Sequence, residues 1–215
     1  MKIVIGISGL AGDGKDSVCK ILEDFCLKKT KYEFKRIALA DKLKEKCQSA
    51  CVEMFGVDPV SCSREDKNKI RDFLVFYGKI MRNETSGTYW TNIVQKEINS
   101  HKSKNIIFCI PDIRYAYFEK DEVFWLKSFK NSRLIHVKKH FCQIIEKNNR
   151  LELIKSYSDA VNKDEAENCP KLENLASHII DWQNFHPYMP EDNEHCVRAV
   201  HSVARDIFDT LKVTA

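Results

Sequence analysis

Seven glycines among 215 residues is a thin supply, yet four of them, Gly6, Gly9, Gly12 and Gly14, fall within nine positions. An ordinary strand-to-helix turn needs about one glycine, so this concentration asks for another reason. Other absences narrow the field. No stretch approaches the ~18 apolar residues of a membrane span. Residues 1–10 are apolar, but they are too short for a secretory leader and run straight into the glycines. No C-x2-C pair faces a second Cys/His pair, which excludes a closed zinc site. The N-K-x-D signature of guanine recognition is missing, and there is no internal repeat or low-complexity linker.

The net charge of +4 is spread along the chain. It is too small an excess to call for a nucleic-acid partner, although it suits anionic small molecules. Nine cysteines is a high and odd count. Cys47 and Cys51 lie four apart in a helix-like segment, a spacing for packing rather than for metal. Free, reduced and mostly buried thiols are therefore expected, and with them a cytoplasmic protein with no membrane association (host cytoplasm, if the source is viral).

The length predicts one domain, 1–215. Residues 2–7 form an apolar, β-branched run suited to a strand buried on both faces. Further strands are expected at 34–39, 105–110, 134–137 and 177–182. Helical spacing joins Val18 to Phe25, Leu43 to Met54 and Ile70 to Met81, the last with a start at Ser63 and Asp66. It continues in a helix from about Tyr89, in 114–129 through Phe118, Phe124, Trp125 and Phe129, and in Val197 to Leu211. Strands alternating with helices predict a mostly parallel five-stranded sheet covered on both faces, a three-layer α/β/α fold. Residues 138–175 are highly polar and are expected to form a lid.

Gly9-Leu10-Ala11-Gly12-Asp13-Gly14-Lys15 satisfies G-x-x-x-x-G-K between a predicted strand and a predicted helix. The glycines let successive N–H groups converge on phosphate oxygens, the helix N-terminus adds positive potential, and Lys15 reaches the outer phosphates. Gly9 to Ser17 are thus the candidate ATP-binding residues. The residue after Lys15 is Asp16, where a Ser or Thr is usual. Asp16 could supply a hard oxygen to Mg²⁺ directly or through water, Ser17 is the alternative hydroxyl, and a helix-start role for Asp16 stands beside both.

The strand 106–110 delivers Asp112 and Arg114 at its carboxyl end, where open α/β sheets bind ligands. Asp112 could hold Mg²⁺ or its water, or cap a helix; Arg114 could grip a phosphate. Lys42 or Lys44, Arg71 and Arg82 could face an anionic acceptor, and Trp90 could stack on a base or sit in the core.

At these residues the sequence resembles the deoxynucleoside monophosphate kinases of phage type, relatives of the animal-type phosphomevalonate kinases within the P-loop kinases. The resemblance rests on Gly14-Lys15-Asp16-Ser17 and on Ala38-Leu39-Ala40-Asp41-Lys42-Leu43-Lys44. It continues through Arg71 with Gly78 and Arg82, Tyr89-Trp90, Pro111-Asp112-Ile113-Arg114 with Glu119, Leu134-Ile135-His136-Val137 and Ile179 to Gln183. Asp after the loop lysine is common to both groups. The resemblance implies a P-loop NTPase-type fold and transfer of the ATP γ-phosphoryl group to a deoxynucleoside monophosphate. It implies Lys15, Asp112 and Arg114 at the chemistry, Mg²⁺ on Asp16, Ser17 and Asp112, and the acceptor on Lys44, Arg71, Arg82, Trp90 and Arg114. Lys138, Lys139 and Arg150 are the lid cations. Around Asp164 to Asn168 the chain is equally similar to the phosphomevalonate kinases, so that activity is the alternative, and a nucleotide-binding regulator without turnover is a second. Oligomeric state is left open, with a homodimer admitted.

Overall fold

A computed structural model describes residues 1–147, 150–184 and 193–213. The apolar run at the start forms β1 (Lys2–Ser8), with Ile3 to Ser8 buried on both faces. It lies between two parallel neighbours, β3 (Ile106–Ile110) and β4 (Ser132–Lys147). Beyond β3 lies β2 (Glu33–Arg36), and β6 (His178–Gln183) runs parallel to β4 on the other side. The five expected strands thus make a parallel core in the order β2-β3-β1-β4-β6.

A sixth strand makes the sheet mixed. β4 runs on to Lys147 and pairs antiparallel with β5 (Arg150–Tyr157), from His140 opposite Tyr157 to Lys147 opposite Arg150. The expected lid is therefore a long hairpin followed by a helix, α6 (Lys163–Leu175). Ile144, Leu151 and Leu153 on this hairpin are exposed.

Helices cover both faces of the sheet. On one side α1 (Lys15–Lys29) and α7 (Glu194–Thr210) pack Val18, Leu22, Phe25, Val200, Ala204 and Phe208 against Ile3, Ile5 and Ile7. On the other, α4 (Thr88–Ser100) and α5 (Glu122–Lys127) contribute Val94, Ile98, Val123 and Leu126. Between β2 and α4 run α2 (Leu39–Phe55) and α3 (Arg64–Glu84), which share a smaller core of Cys47, Cys51, Ile70 and Leu74. Ser63 caps α3 by accepting from the Asp66 N–H, as its sequence signature predicts. The architecture is a three-layer α/β/α fold about a mostly parallel sheet.

Two expectations need correction. The second strand ends at Arg36, because Leu39 already opens α2. The helix expected over 114–129 is only six residues long and buries Val123 and Leu126, while Phe124 faces outward. Residues 114–121 are irregular because side chains of Asp121 and Glu122 capture their backbone N–H groups. All nine cysteines are free, six of them buried. Among the described residues no helix is long and apolar enough to cross a membrane.

Candidate active site

The glycine-rich loop leaves the carboxyl end of β1 in backbone conformations that only glycine holds cheaply. Gly9, Gly12 and Gly14 have φ of 142°, 89° and 89°. At Gly9 space decides as well as φ, since a Cβ there would stand 2.4 Å from the Val137 carbonyl oxygen. The loop is braced from the neighbouring strands. Trp182 of β6 donates its indole N–H to the Asp13 carbonyl at 3.0 Å, and Lys139 of β4 donates to the Gly12 carbonyl at 2.7 Å. Asp13 is buried and accepts from the Leu10 N–H at 2.9 Å; burial raises its pKa above the ordinary carboxylate range.

Lys15 turns back over the loop and donates to the Gly9 and Leu10 carbonyls at 2.9 and 2.6 Å. Its pKa is lowered, first by burial and next by the nearby Arg114 guanidinium. A half-buried ammonium that feels the charge of an exposed guanidinium is the electrostatic condition that an anion relieves.

A second run of positive charge continues from Arg114. Lys67 on α3 is held below the ordinary lysine value by partial desolvation and by the charges of Lys44, Arg71 and Arg114. The structure thus gathers Lys44, Arg71 and Arg114, three of the expected acceptor residues, and adds Lys67. Lys67 lies one helical turn before Arg71, so i,i+4 spacing on α3 was the signal that could have found it. Lys44 also pairs with Asp41 at 3.0 Å, whereas Lys42 is turned to Glu45 and Glu97.

Arg82 and Trp90 do not join this group. Arg82 is buried and forms a two-pronged pair with Asp121, Nε at 3.2 Å and Nη2 at 2.5 Å, beneath the rings of Tyr115 and Phe118. Its guanidinium is engaged in holding α3 to the 115–121 loop. Trp90 is buried in the core against Tyr77 and Tyr89 and donates its indole N–H to the Gly78 carbonyl. It has no face for a base.

Asp112 is placed at the strand end as expected, but both its oxygens are engaged. They accept from the Leu39 and Ala40 N–H groups at 3.0 and 2.7 Å and so cap α2 from 73 residues away. Burial raises its pKa. Asp16 lies in the first turn of α1 with its side chain 80% exposed, paired to Arg36 at 3.0 Å; Arg36 also binds Asp41 at 2.7 Å. Arg36 ends β2, so the rule that singled out Asp112 could have found it too. Among the described residues no three His, Cys, Asp or Glu side chains are grouped to hold a metal. Mg²⁺ does not need such a group, since it takes one or two carboxylates together with phosphate oxygens and water. The exposed Asp16 carboxylate fits that requirement, with Ser17 beside it; Asp112 fits it less well.

Of the lid cations, Lys139 is the one against the glycine-rich loop. Lys138 pairs with Glu173 at 2.8 Å and lies over the Tyr157 ring, and the Arg150 side chain lies outside the described residues. Between loop, hairpin and α6 opens a pocket of about 310 Å³ lined by Leu10, Asp13, Lys139, Tyr157, Glu165 and Cys169 among others. At its base His136 meets the Ser8 hydroxyl at 2.9 Å and the Cys169 thiol at 3.7 Å. Burial pushes His136 down to about 4 and Cys169 up to about 11, so both are neutral at pH 7.

The segment bearing Arg114 depends on Glu122, whose Oε2 accepts from the Arg114 and Tyr115 N–H groups at 2.6 and 3.2 Å. Burial, with Asp112 and Asp121 nearby, pushes its pKa up to about 8. An unfolded glutamate titrates near 4.5. Between these values the folded chain holds a proton that the unfolded chain releases, so this group's contribution falls as pH rises through that window. Glu122→Gln should flatten the decline in stability between pH 5 and pH 8 in urea titrations at several pH values; an unchanged slope would contradict the assignment.

Comparison with protein-family models and with curated proteins yields no match. Among solved structures, a gluconokinase from Sinorhizobium meliloti 1021 is similar over 97% of both chains, at 8% identity and a TM-score of 0.37. A superposition that loose carries no argument about chemistry.

Proposed function

We propose that this protein is an ATP-dependent small-molecule kinase whose acceptor is itself phosphorylated. The observation that carries the reading is the run of positive charge from Lys15 through Arg114 to Lys67, with Lys44 and Arg71 beside it. A glycine-rich loop followed by Lys15 accounts for a triphosphate. The further cations exceed what the donor needs. Lys67, Arg71 and Arg114 are exposed, so they are open to an anionic acceptor and raise its local concentration, which a neutral acceptor such as a sugar would not use.

In this reading the triphosphate lies along the loop N–H groups at the start of α1, and Lys15 leaves the Gly9 and Leu10 carbonyls for its outer oxygens. Mg²⁺ would be held by Asp16, with Ser17 beside it, and would neutralise phosphate charge. Arg114, between Lys15 and the acceptor cations, would meet the oxygens of both substrates. Lys139 would approach from β4. Such a site works by positioning and charge neutralisation rather than by covalent chemistry.

The acceptor we infer is a deoxynucleoside 5'-monophosphate, on the resemblance of the motif string around Asp16 and Pro111–Arg114. Phosphomevalonate is the second candidate, because the cation group recognises a phosphate without naming what carries it. A panel of nucleoside monophosphates, phosphomevalonate and gluconate, each with ATP and Mg²⁺, tests both. ATP consumption with a deoxynucleoside monophosphate is expected, and Lys67→Ala should raise the KM for that acceptor about tenfold while leaving the KM for ATP unchanged. Turnover of phosphomevalonate alone would replace the acceptor. Tight ATP binding with no turnover would make the chain a nucleotide-binding regulator.

A further inference from the structure

The stretch 114–118 has no regular secondary structure, yet each of its five successive N–H groups is bound by a side chain. Arg114 and Tyr115 donate to Glu122, Ala116 donates to Asn168 at 3.0 Å, and Tyr117 and Phe118 donate to Asp121 at 2.9 and 3.1 Å. Glu122 and Asp121 are near neighbours in sequence. Asn168 is different, for it comes from α6, 52 residues away.

Asn168 is buried, 5% exposed, and both ends of its amide are used. Its Oδ1 accepts from Ala116, and its Nδ2 donates to the Asp164 carbonyl at 2.9 Å within α6. The same helix presents Glu165, Ala166 and Cys169 to the pocket beside the phosphate loop. α6 therefore has one side on the pocket and the other fastened to the segment that carries Arg114, and Asn168 is the only side chain of α6 hydrogen-bonded to that segment among the described residues. A neutral amide suits the place. Asp121, Glu122 and Asp164 already crowd it with carboxylates, and an unsatisfied N–H in a buried turn is costly.

We propose that Asn168 is a positioning residue that couples occupancy of the phosphate-loop pocket to the placement of Arg114. A triphosphate seated on the loop steadies α6 from the pocket side, and the Asn168–Ala116 hydrogen bond passes that constraint to the backbone two residues beyond Arg114. The inference rests on the reading of the loop as a triphosphate site, and the experiment separates the two.

Amide hydrogen exchange of the whole chain is measured with and without ATP and Mg²⁺. In the native protein ATP should slow exchange in residues 9–17 and also in 115–118, by about tenfold in each. In Asn168→Ala the slowing at 9–17 should persist and that at 115–118 should disappear. Asn168→Gln keeps a neutral amide with an oxygen for the Ala116 N–H and should retain the coupling. Protection in the strands 2–8 and 106–110 reports that each variant is folded, and a variant that lost it would leave the Gln replacement and the native response to decide. If 115–118 responds to ATP equally in the native protein and Asn168→Ala, or fails to respond in the native protein while 9–17 does, the coupling is wrong and the triphosphate site stands. If 9–17 does not respond in the native protein, the triphosphate reading itself fails and the coupling fails with it.

Discussion

Lys15→Ala is expected to lower turnover by about 10²–10³-fold while leaving the melting temperature nearly unchanged. The two halves have different causes. Lys15 is the ammonium that would follow charge on the transferring group, and nothing else in the loop can replace it, because Lys139 is fixed on the Gly12 carbonyl from outside. In the folded chain Lys15 is instead under electrostatic strain. Burial and Arg114 lower its pKa, so the charged form is less favourable folded than unfolded. Among the described residues its bonds are to loop carbonyls that water can also serve. Removing it therefore takes away a functional group that costs folding free energy rather than one that supplies it. The check is ATP consumption with the best acceptor beside a thermal melt. Turnover within threefold of native would remove Lys15 from the chemistry. A fall of many degrees would make it a structural residue.

That separation between site and scaffold bears on what could be read in the sequence. The β1–loop–α1 unit was legible because everything that builds it is local: a fully buried apolar run, glycines at positive φ and a 3.6-residue repeat follow one another in 28 residues. β3 and the start of β4 were legible for the same reason, since strands buried on both faces are short apolar runs. The β4–β5 hairpin was not. Its apolar residues, Ile144, Leu151 and Leu153, are exposed, so the contrast between a buried and a solvated face that marks a strand is absent. Its pairing joins residues whose polarity suggested a lid.

Residues 114–121 were misread because aromatic spacing imitates a helix, while the local conformation is set by Asp121, Glu122 and Asn168 capturing backbone N–H groups. Asp112 shows the limit of a strand-end rule. Such a rule brings a carboxylate to the crevice, but whether it holds a metal or a helix N-terminus depends on an element 73 residues away. Lys44, Arg71 and Arg114 stand on α2, on α3 and in the irregular segment after β3, and their charges all act on Lys67, a grouping that only the packing of these elements creates.

Arg82 is where the distinction has its largest effect on stability. The sequence alone made it a candidate for binding an anionic acceptor, and the structure makes it the buried partner of Asp121. Arg82→Met is expected to destabilise the fold by about 3–5 kcal/mol, because it leaves a carboxylate that is 0% exposed without its cation. Asp121 cannot readily adapt. It also accepts from the Tyr117 and Phe118 N–H groups, and Gly87 is packed so closely on it that a Cβ there would meet its carboxylate oxygen at 2.8 Å. Asp121→Asn should cost less, since the amide keeps one oxygen for those N–H groups and leaves Arg82 over the rings of Tyr115 and Phe118. Combining the two replacements should cost less than the sum of the single effects, because the second removes the charge that the first strands. Urea midpoints of the three variants measure this. Kinetics on the folded fraction of Arg82→Met should show a KM for the acceptor close to native, since the side chain faces Asp121 and not the cleft. A raised acceptor KM with unchanged urea midpoint would return Arg82 to the binding site. It would also mean that the Lys44–Lys67–Arg71–Arg114 group is not the whole of the acceptor's charge complement.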